Sequence, residues 1–295
     1  MSDRIAQALS TPGRLEDIRC PALPLPGTCM STSPVFALVT GASSGIGREI
    51  ARAYARRGVP LIITARRVDR LQALAAELAG QTRVEVVPAD LAEPAAVQAL
   101  VKHLQEQGWQ VGTLVNNAGY GVPGRYQQND WTTHARFLQV MVTAVCELTW
   151  RLLPMLRASG QGRVLNVASF AALAPSADGQ TLYAAAKSFM LRFSESLALE
   201  NADCGLRACA LCPGFAWSEF HDVTGTREAM ASLPRWAWLQ ADAVAEYGIA
   251  ALERGQVLAI PGWRYRLVHT LLRLLPHALA LRLMARGSHR VRPLQ

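Results

Sequence analysis

The sequence lacks the features that would mark a membrane-spanning, disulfide-rich or zinc-binding protein. No uninterrupted apolar run approaches the roughly 20 residues that cross a bilayer. The six cysteines form no disulfide framework, and the CxxC pair Cys209 and Cys212 has no second pair to complete a metal site. No charged start followed by a long apolar segment indicates a signal peptide. We therefore expect a cytoplasmic protein without a bound metal.

Acidic residues are missing from the end of the chain. Residues 262–295 contain seven arginines and neither aspartate nor glutamate, so this segment carries a charge of +7 out of a formal net charge of +8 for the whole chain. The rest of the chain is nearly neutral, which argues against a nucleic-acid partner. Because 51% of the residues are hydrophobic and only 18% are charged, the chain can bury a large core.

Short apolar runs alternate with longer helical patterns. This alternation is typical of βαβ units, whose right-handed crossovers build a parallel sheet with helices on both faces. We predict one doubly wound α/β domain over residues 35–262, preceded by a loose leader (1–34, with Met30 as an alternative start) and followed by a basic amphipathic tail (263–295). The seven predicted strands are 35–39, 60–64, 84–88, 112–116, 163–168, 206–211 and 256–260. The clearest helical patterns are 47–57, 69–79, 94–107, 132–157 and 181–201.

A glycine-rich turn, Thr40–Gly47, directly follows the first predicted strand and opens the first helix. Glycine permits a tight turn and lets the backbone approach a pyrophosphate, which the helix N-terminus also attracts. This setting predicts a dinucleotide site of the Rossmann type. The predicted phosphate cradle comprises Gly41, Ser43, Ser44, Gly45, Ile46 and Gly47.

Two arginines follow the second predicted strand, which ends at Thr64. An acidic residue here would bind the ribose 2′-hydroxyl of NAD, whereas an arginine suits the 2′-phosphate of NADP. We therefore predict NADP(H) as the cofactor, with Arg66 as the better candidate and Ser43 as its helper. The alternative is that Arg66 and Arg67 are both solvated.

Six motifs occur in order along the chain. They are Thr40–Gly47, Asp90-Leu91, Asn116-Asn117-Ala118-Gly119, Asn166-Val167-Ala168-Ser169, Tyr183-x-x-x-Lys187 and Pro213-Gly214. Together they resemble the short-chain dehydrogenase/reductase family over about residues 35–262. The resemblance implies an NAD(P)-dependent oxidoreductase, commonly a homodimer or homotetramer packed through the helices predicted at 132–157 and 181–201.

The resemblance also assigns cofactor contacts. Asp90, with Leu91, would bind the adenine edge. The segment Asn117-Ala118-Gly119 would line the adenine ribose and stabilise the central strand. The segment Pro213-Gly214 and Ser218 would lie near the nicotinamide and its phosphates.

Tyr183 and Lys187 are four residues apart in a predicted helix and so share one helix face. Reduction of a ketone requires a proton on the oxygen while hydride reaches the carbon. The resemblance implies that Tyr183 donates this proton and that Lys187 favours the phenolate and reaches the cofactor ribose. It also implies that Ser169 hydrogen-bonds the substrate oxygen.

One position departs from the family pattern. Met141 stands where the family usually has an asparagine that helps to hold a water behind the lysine, and a thioether cannot donate a hydrogen bond. Three interpretations are open. Either protons are relayed between Lys187 and solvent through another group, with Thr143 nearby; or turnover is slow; or the protein is a catalytically weak NADP(H)-binding sensor or scaffold. We favour a working enzyme because Ser169, Tyr183 and Lys187 are all present.

Large side chains are concentrated in residues 215–240, the substrate lid of the family. Their number favours a bulky apolar substrate, such as a 3-oxoacyl, steroid-like or polyketide ketone, although they would equally suit a core or a subunit interface. The side chains are Phe215, Trp217, Phe220, Met230, Trp236 and Trp238.

The tail carries leucines at helical spacing with interleaved arginines. Such a pattern suits peripheral contact of residues 263–292 with the inner face of an anionic membrane. The alternative is an apolar stripe that covers the substrate pocket or a neighbouring subunit.

Overall fold

The computed structural model of the protein describes residues 34–217, 237–282 and 284. Its seven strands are all parallel and form one sheet in the order β3-β2-β1-β4-β5-β6-β7. The strands are β1 (Val35–Thr40), β2 (Leu61–Thr64), β3 (Val84–Val86), β4 (Gln110–Asn116), β5 (Arg163–Val167), β6 (Arg207–Leu211) and β7 (Leu258–Ala259).

Helices connect successive strands and cover both faces of the sheet. In the described ranges they are α1 (Gly45–Arg56), α2 (Val68–Leu78), α3 (Ala96–Glu106), α4 (Trp131–Leu138), α5 (Ala144–Ala158), α6 (Thr181–Glu200), α7 (Ala241–Glu253) and α8 (Trp263–Leu274). The Rossmann-type doubly wound fold predicted from the sequence is therefore confirmed.

The two faces of the sheet carry separate parts of the core. Ile50 of α1 and Ile249 of α7 are buried on one face, and Leu100 of α3 and Leu148 of α5 are buried on the other. Because strand side chains alternate between faces, Cys209 and Cys212 also belong to different core clusters. Burial raises the pKa of each of these thiols to about 12.

The predicted helix over 132–157 is interrupted. A π-helical segment, Gln139–Thr143, separates α4 from α5, and the Ala144 N–H donates to the carbonyl of Gln139, five residues earlier. Apolar periodicity continues through such a bulge, so it gave no warning of the break. The edge strand predicted at 256–260 is shorter, because only Leu258 and Ala259 pair with β6.

The order of the strands reverses at β1 and β4, where the chain crosses from one half of the sheet to the other. Crevices of this kind, at the carboxyl ends of parallel strands, are the usual ligand sites of doubly wound sheets. The loops after β1, β2, β4, β5 and β6 therefore meet at the same edge.

Candidate active site

The turn after β1 has the backbone geometry that a phosphate cradle requires. Gly41 and Gly45 have φ of 66° and 56°, in the left-handed region that favours glycine. A Cβ on Gly41 would lie 2.8 Å from the Cα of Ala118, so the two loops touch through backbone. Four cradle residues, Ser43, Ser44, Gly45 and Ile46, line the main cavity together with Gly41.

Asn117 fastens this turn to the end of β4. Its Nδ2 donates to the carbonyls of Thr40 at 2.9 Å and Gly41 at 3.2 Å. The Thr40 hydroxyl accepts the N–H groups of Asn117 and Ala118 and donates to the Val115 carbonyl. Asn117 therefore stabilises the join between the two central strands.

Gly47 has a packing role. It is absent from the lining of the cavity, and a Cβ there would lie 2.2 Å from Asn117 Nδ2 and 2.6 Å from the Gly41 carbonyl oxygen. The third glycine of the turn thus lets α1 approach the loops closely.

Both arginines after β2 line the cavity, but they have different contacts. The Arg67 Nη2 donates to the Ser43 hydroxyl at 3.0 Å and to the Ser44 hydroxyl at 2.8 Å. Arg66 lines the same cavity and lies near enough to Tyr120 to influence its hydroxyl electrostatically. Sequence reasoning placed Arg66 first; the structure adds Arg67 as the guanidinium in contact with the glycine turn.

Asp90 and Leu91 also line the cavity. Asp90 accepts the Ala92 N–H at 3.0 Å through Oδ1, and its Oδ2 is 3.3 Å from the Arg136 guanidinium. These bonds fix the carboxylate at the end of the cavity that holds the two arginines.

Ser169, Tyr183 and Lys187 line the cavity at its other end, together with Pro213 and Gly214. Ser169 follows β5 directly, and its hydroxyl accepts the Ala171 N–H at 3.2 Å. Tyr183 and Lys187 are one turn apart in α6, and the lysine Nζ lies 5.8 Å from the centre of the tyrosine ring. The structure thus brings the three predicted catalytic side chains into one site.

Lys187 is buried with few polar neighbours. Its Nζ donates to the Val167 carbonyl at 2.7 Å and lies 3.8 Å from Met190 Sδ. Burial disfavours the ammonium and lowers the pKa of Lys187 to about 8. The cation is therefore held next to the site with little solvent to screen its charge.

Met141 is fully buried in the π-helical segment, in a cluster with Phe137 and Ala186. Its Sδ lies 2.8 Å from the position of a Cβ on Gly119, so the thioether fills the space behind that cavity residue. Thr143 is exposed and is not part of the cavity lining. The structure therefore gives no support to Thr143 as a substitute in the relay.

A buried polar ladder fixes the strands that carry the site. Asn116 donates to Asn166 at 2.8 Å and to the Thr149 hydroxyl at 3.1 Å, and Asn166 donates to the Ser194 hydroxyl at 2.8 Å. These bonds tie β4 and β5 to α5 and α6. Satisfied buried networks of this kind are rigid, and this one holds Ser169 and Lys187 on fixed supports.

Tyr265 of α8 reaches the far wall of the site, and sequence reasoning missed it. Its hydroxyl accepts the Phe215 N–H at 3.0 Å and donates to the Ala237 carbonyl at 2.6 Å. Helical spacing does signal that Tyr265, His269 and Leu272 share one face, but nothing in the sequence links that face to Gly214. Ser218, predicted to contact the cofactor, lies outside the described residues.

These groups share one cavity of about 640 Å³. It extends from Arg67 and the glycine turn past Asn117 to Ser169 and Tyr183, and α8 closes part of it with Val268 and Leu272. The arrangement combines a glycine turn at a helix N-terminus with the phenol of Tyr183, the amine of Lys187 and the hydroxyl of Ser169. A nicotinamide dinucleotide fits this donor set, because the glycine turn leaves backbone room for phosphate.

Comparison with known proteins agrees with this geometry. The family model described as short chain dehydrogenase matches residues 35–228. Sulfoacetaldehyde reductase of Chromohalobacter salexigens is 37% identical over 184 residues, which cover 62% of this chain and 72% of the reductase. Nodulation protein G of Rhizobium sp. is 38% identical over 205 residues, covering 67% of this chain and 81% of that protein.

Two solved structures resemble this one closely. A short-chain dehydrogenase from Sphingobium yanoikuyae in complex with NADPH superposes with a TM-score of 0.72 at 31% identity, covering 83% of this chain and 97% of that one. The bulky-bulky ketone specific alcohol dehydrogenase from Comamonas testosteroni has a TM-score of 0.69 at 27% identity, covering 84% and 97%.

Proposed function

Because the chain belongs to the short-chain dehydrogenase family of oxidoreductases, we propose that it reduces a ketone on a bulky apolar substrate with NADPH, or oxidises the corresponding secondary alcohol with NADP. The observation that carries this proposal is the single cavity that joins Arg67 and the glycine turn to Ser169, Tyr183 and Lys187. The same cavity thus has a place for the cofactor phosphates and a proton donor for the substrate.

The choice of NADP(H) is supported by charge at the end of β2. Arg67 is held beside Ser43 and Ser44, and Arg66 lines the same end of the cavity. Arginine is suited to a phosphate group by its charge and its forked geometry. The NADPH in the Sphingobium yanoikuyae structure points in the same direction.

Three side chains have separate roles in the proposed reduction of the carbonyl group. The glycine turn and the wall formed by Pro213 and Gly214 would hold a reduced nicotinamide dinucleotide, whose chemistry would be to supply a hydride to the carbonyl carbon. Tyr183 gives its hydroxyl proton to the carbonyl oxygen, so the C=O π bond becomes C–O–H. The Lys187 ammonium stabilises the phenolate left behind, and the Ser169 hydroxyl donates a hydrogen bond to the oxygen as its charge grows.

The substrate class follows from what lines the catalytic end. Apolar side chains dominate there: Val122, Phe170, Phe215, Val268, Leu272 and Met284. Among the described lining residues, the cations are Arg66, Arg67 and Lys187, and the two arginines lie at the other end. At the catalytic end Lys187 is the one cation among the described lining residues, and its Nζ already donates to the Val167 carbonyl, so a sulfonate such as that of sulfoacetaldehyde would find no second described cation there. A bulky apolar ketone suits it better.

A panel of carbonyl compounds tests this assignment. We expect aromatic and long-chain ketones to be reduced with NADPH at a kcat/KM at least about tenfold above that for sulfoacetaldehyde. This ratio corresponds to about 1.4 kcal/mol of additional transition-state binding. A preference for sulfoacetaldehyde would contradict the proposed substrate class.

The competing function is a catalytically weak NADP(H) sensor, and Met141 favours it. The buried Met141 thioether stands where the family usually has the asparagine that helps to hold a water behind the lysine. Tight NADPH binding without turnover of any carbonyl in the panel, or of the corresponding alcohols with NADP, would support the sensor over the enzyme.

We also propose that the protein assembles through α5 and α6. Trp150 of α5 is 70% exposed, Leu199 of α6 is 74% exposed, and Phe189 stacks on Phe193 at the surface of α6. Large apolar side chains of this kind are typical of interfaces. Sedimentation of the wild type as a dimer or tetramer, and of Trp150→Glu as a smaller species, would support this assembly; a monomeric wild type would refute it.

We also propose that the outer face of α8 makes peripheral contact with an anionic membrane. Trp263, Leu267, Leu271 and Leu274 are 61%, 51%, 53% and 77% exposed, and they follow one stripe that points away from the cavity. Arg264, Arg266 and Arg273 flank the stripe, and residues 262–295 contain no acidic side chain, so this segment has the charge that an anionic surface attracts. No described helix is long and apolar enough to cross a membrane.

Vesicle sedimentation tests this contact. We expect binding to phosphatidylglycerol vesicles that decreases in high salt and is lost in Leu267→Glu/Leu271→Glu, while Val68→Glu on α2 leaves it unchanged. Equal binding by all three proteins would contradict the proposal, and a change of oligomeric state in the double variant would assign the stripe to a subunit interface.

A further inference from the structure

Tyr265 of α8 packs against two loops of the site. Its ring packs against Phe170, with 5.2 Å between ring centres, and Phe170 directly follows Ser169. The ring also lies on Gly214, since a Cβ there would be only 1.9 Å from the Tyr265 Cζ. The tyrosine therefore touches both the loop after β5 and the loop after β6.

The Tyr265 hydroxyl makes hydrogen bonds with two backbone groups. It accepts the Phe215 N–H at 3.0 Å and donates to the Ala237 carbonyl at 2.6 Å. A direct bond joins the two loops as well, from the Phe170 N–H to the Pro213 carbonyl at 2.8 Å. Burial raises the pKa of Tyr265, which keeps its hydroxyl protonated and able to donate.

Leu239, two residues after Ala237, makes further backbone bonds to the segment that begins at Phe215. The Leu239 N–H donates to the Phe215 carbonyl at 2.8 Å, and the Trp217 N–H donates to the Leu239 carbonyl at 3.0 Å. Tyr265 thus completes a small set of bonds whose members all lie within or beside the wall formed by Pro213, Gly214 and Phe215.

We infer that Tyr265 is a positioning residue that couples α8 to the hydride-transfer site by fixing the Pro213–Phe215 loop against the Ser169–Phe170 loop. This inference rests on the proposed function for its consequence, because Pro213 and Gly214 form the wall where the nicotinamide would lie. A shift of this wall relative to Ser169 would misalign donor and acceptor, and reaction rates depend steeply on such alignment.

Tyr265→Phe is the direct test, since it removes the hydroxyl and keeps the ring on Gly214. We expect amide hydrogen exchange in a peptide covering residues 213–217 to become about tenfold faster, as expected for the loss of a hydrogen bond from a part-buried N–H. With NADPH and an aromatic ketone, kcat should fall about tenfold at a temperature well below unfolding.

The matched control is Tyr247→Phe on α7, which removes a tyrosine hydroxyl away from the cavity. It should leave the exchange of residues 213–217 and kcat within about twofold of the wild type, the usual effect of a change outside a functional contact. Equal exchange in the two variants and the wild type would overturn the inference. A fall in thermal stability of Tyr265→Phe with unchanged kcat would do the same.

A double-mutant cycle measures the contact with Gly214. Gly214→Ala should be severe in the wild type, because the new Cβ meets the Tyr265 ring, and milder in Tyr265→Ala, where the ring is gone. Neither experiment needs turnover, because the first measures amide hydrogen exchange and the cycle can be measured by thermal unfolding and by NADPH affinity. If the wild type reduces no ketone, the proposed function fails, whereas Tyr265 is still judged by these two measurements.

Discussion

The Lys187 Nζ donates a hydrogen bond to the Val167 carbonyl at 2.7 Å, which fixes the only cation at the catalytic end of the described cavity lining. Burial lowers the pKa of Lys187 to about 8, so this lysine loses its proton far below its ordinary value of 10.5. The ammonium is present below that pKa and is lost as the pH rises through it. The charge that the proposed mechanism requires is therefore sensitive to mildly alkaline pH.

We predict that kcat/KM for NADPH is level below pH 8 and falls as the pH rises through about 8, because this parameter reports ionisations of the free enzyme. Lys187→Arg keeps its charge at all these values, so any activity that it retains should show no fall in this range. The same fall in both proteins would assign the titration to another group.

Arg67 provides the second prediction. Arg67→Ala should raise KM for NADPH by about 10- to 100-fold while KM for NADH changes little, because a charged hydrogen bond to the 2′-phosphate is lost. Arg66→Asp should shift preference in the same direction. Arg83→Ala, which removes a pair with Glu85 and contacts with the Phe36 and Trp109 rings but lies outside the cavity lining, is the control. Unchanged coenzyme preference in both cavity variants would place the phosphate elsewhere.

Gly47 tests the packing of the glycine turn. In Gly47→Ala the new Cβ would lie 2.2 Å from Asn117 Nδ2, so the bonds from Asn117 to Thr40 and Gly41 must shift. We expect a loss of about 1–3 kcal/mol in the free energy of unfolding, as for overpacked cores, together with weaker NADPH binding. Gly80→Ala, where a Cβ meets nothing within 4 Å, is the matched control. Equal effects of both changes on unfolding and NADPH affinity would contradict this account.

Met141 separates the interpretations left open by the sequence. Met141→Leu keeps the volume and should change kcat less than twofold, since volume-conserving swaps cost under about 1.5 kcal/mol of stability and no hydrogen bond is lost. Met141→Asn restores the family residue and should raise kcat, at some cost in stability, if relay of protons limits turnover. Steady-state kinetics at 25 °C would show this, and an unchanged kcat in Met141→Asn would mean that Met141 does not limit the enzyme.

The sequence predicted the fold well because local patterns and topology agree. Continuous apolar strands between amphipathic helices leave a parallel sheet as the simple solution, and the glycine turn identifies β1. It predicted the gathering of Ser169, Tyr183 and Lys187 because each lies at the carboxyl edge of the sheet or on the helix beside it.

The sequence could not predict features that depend on tertiary contact. Arg66 and Arg67 are adjacent and chemically alike, so only the conformation after β2 distinguishes the one that meets Ser43. The π-helical segment preserves the apolar pattern around Met141. Tyr265 is 50 residues from its hydrogen-bond partner Phe215 in the chain, and no local rule connects them.

The central claim is tested most directly by Tyr183→Phe, which removes the proposed proton donor and keeps the ring. The rate of NADPH consumption with a bulky aromatic ketone should fall by about 10²- to 10⁴-fold, which is the usual contribution of a positioned proton donor to the rate. NADPH affinity, measured by its fluorescence on binding, should change little. Ketone reduction at the wild-type rate by Tyr183→Phe would contradict the account.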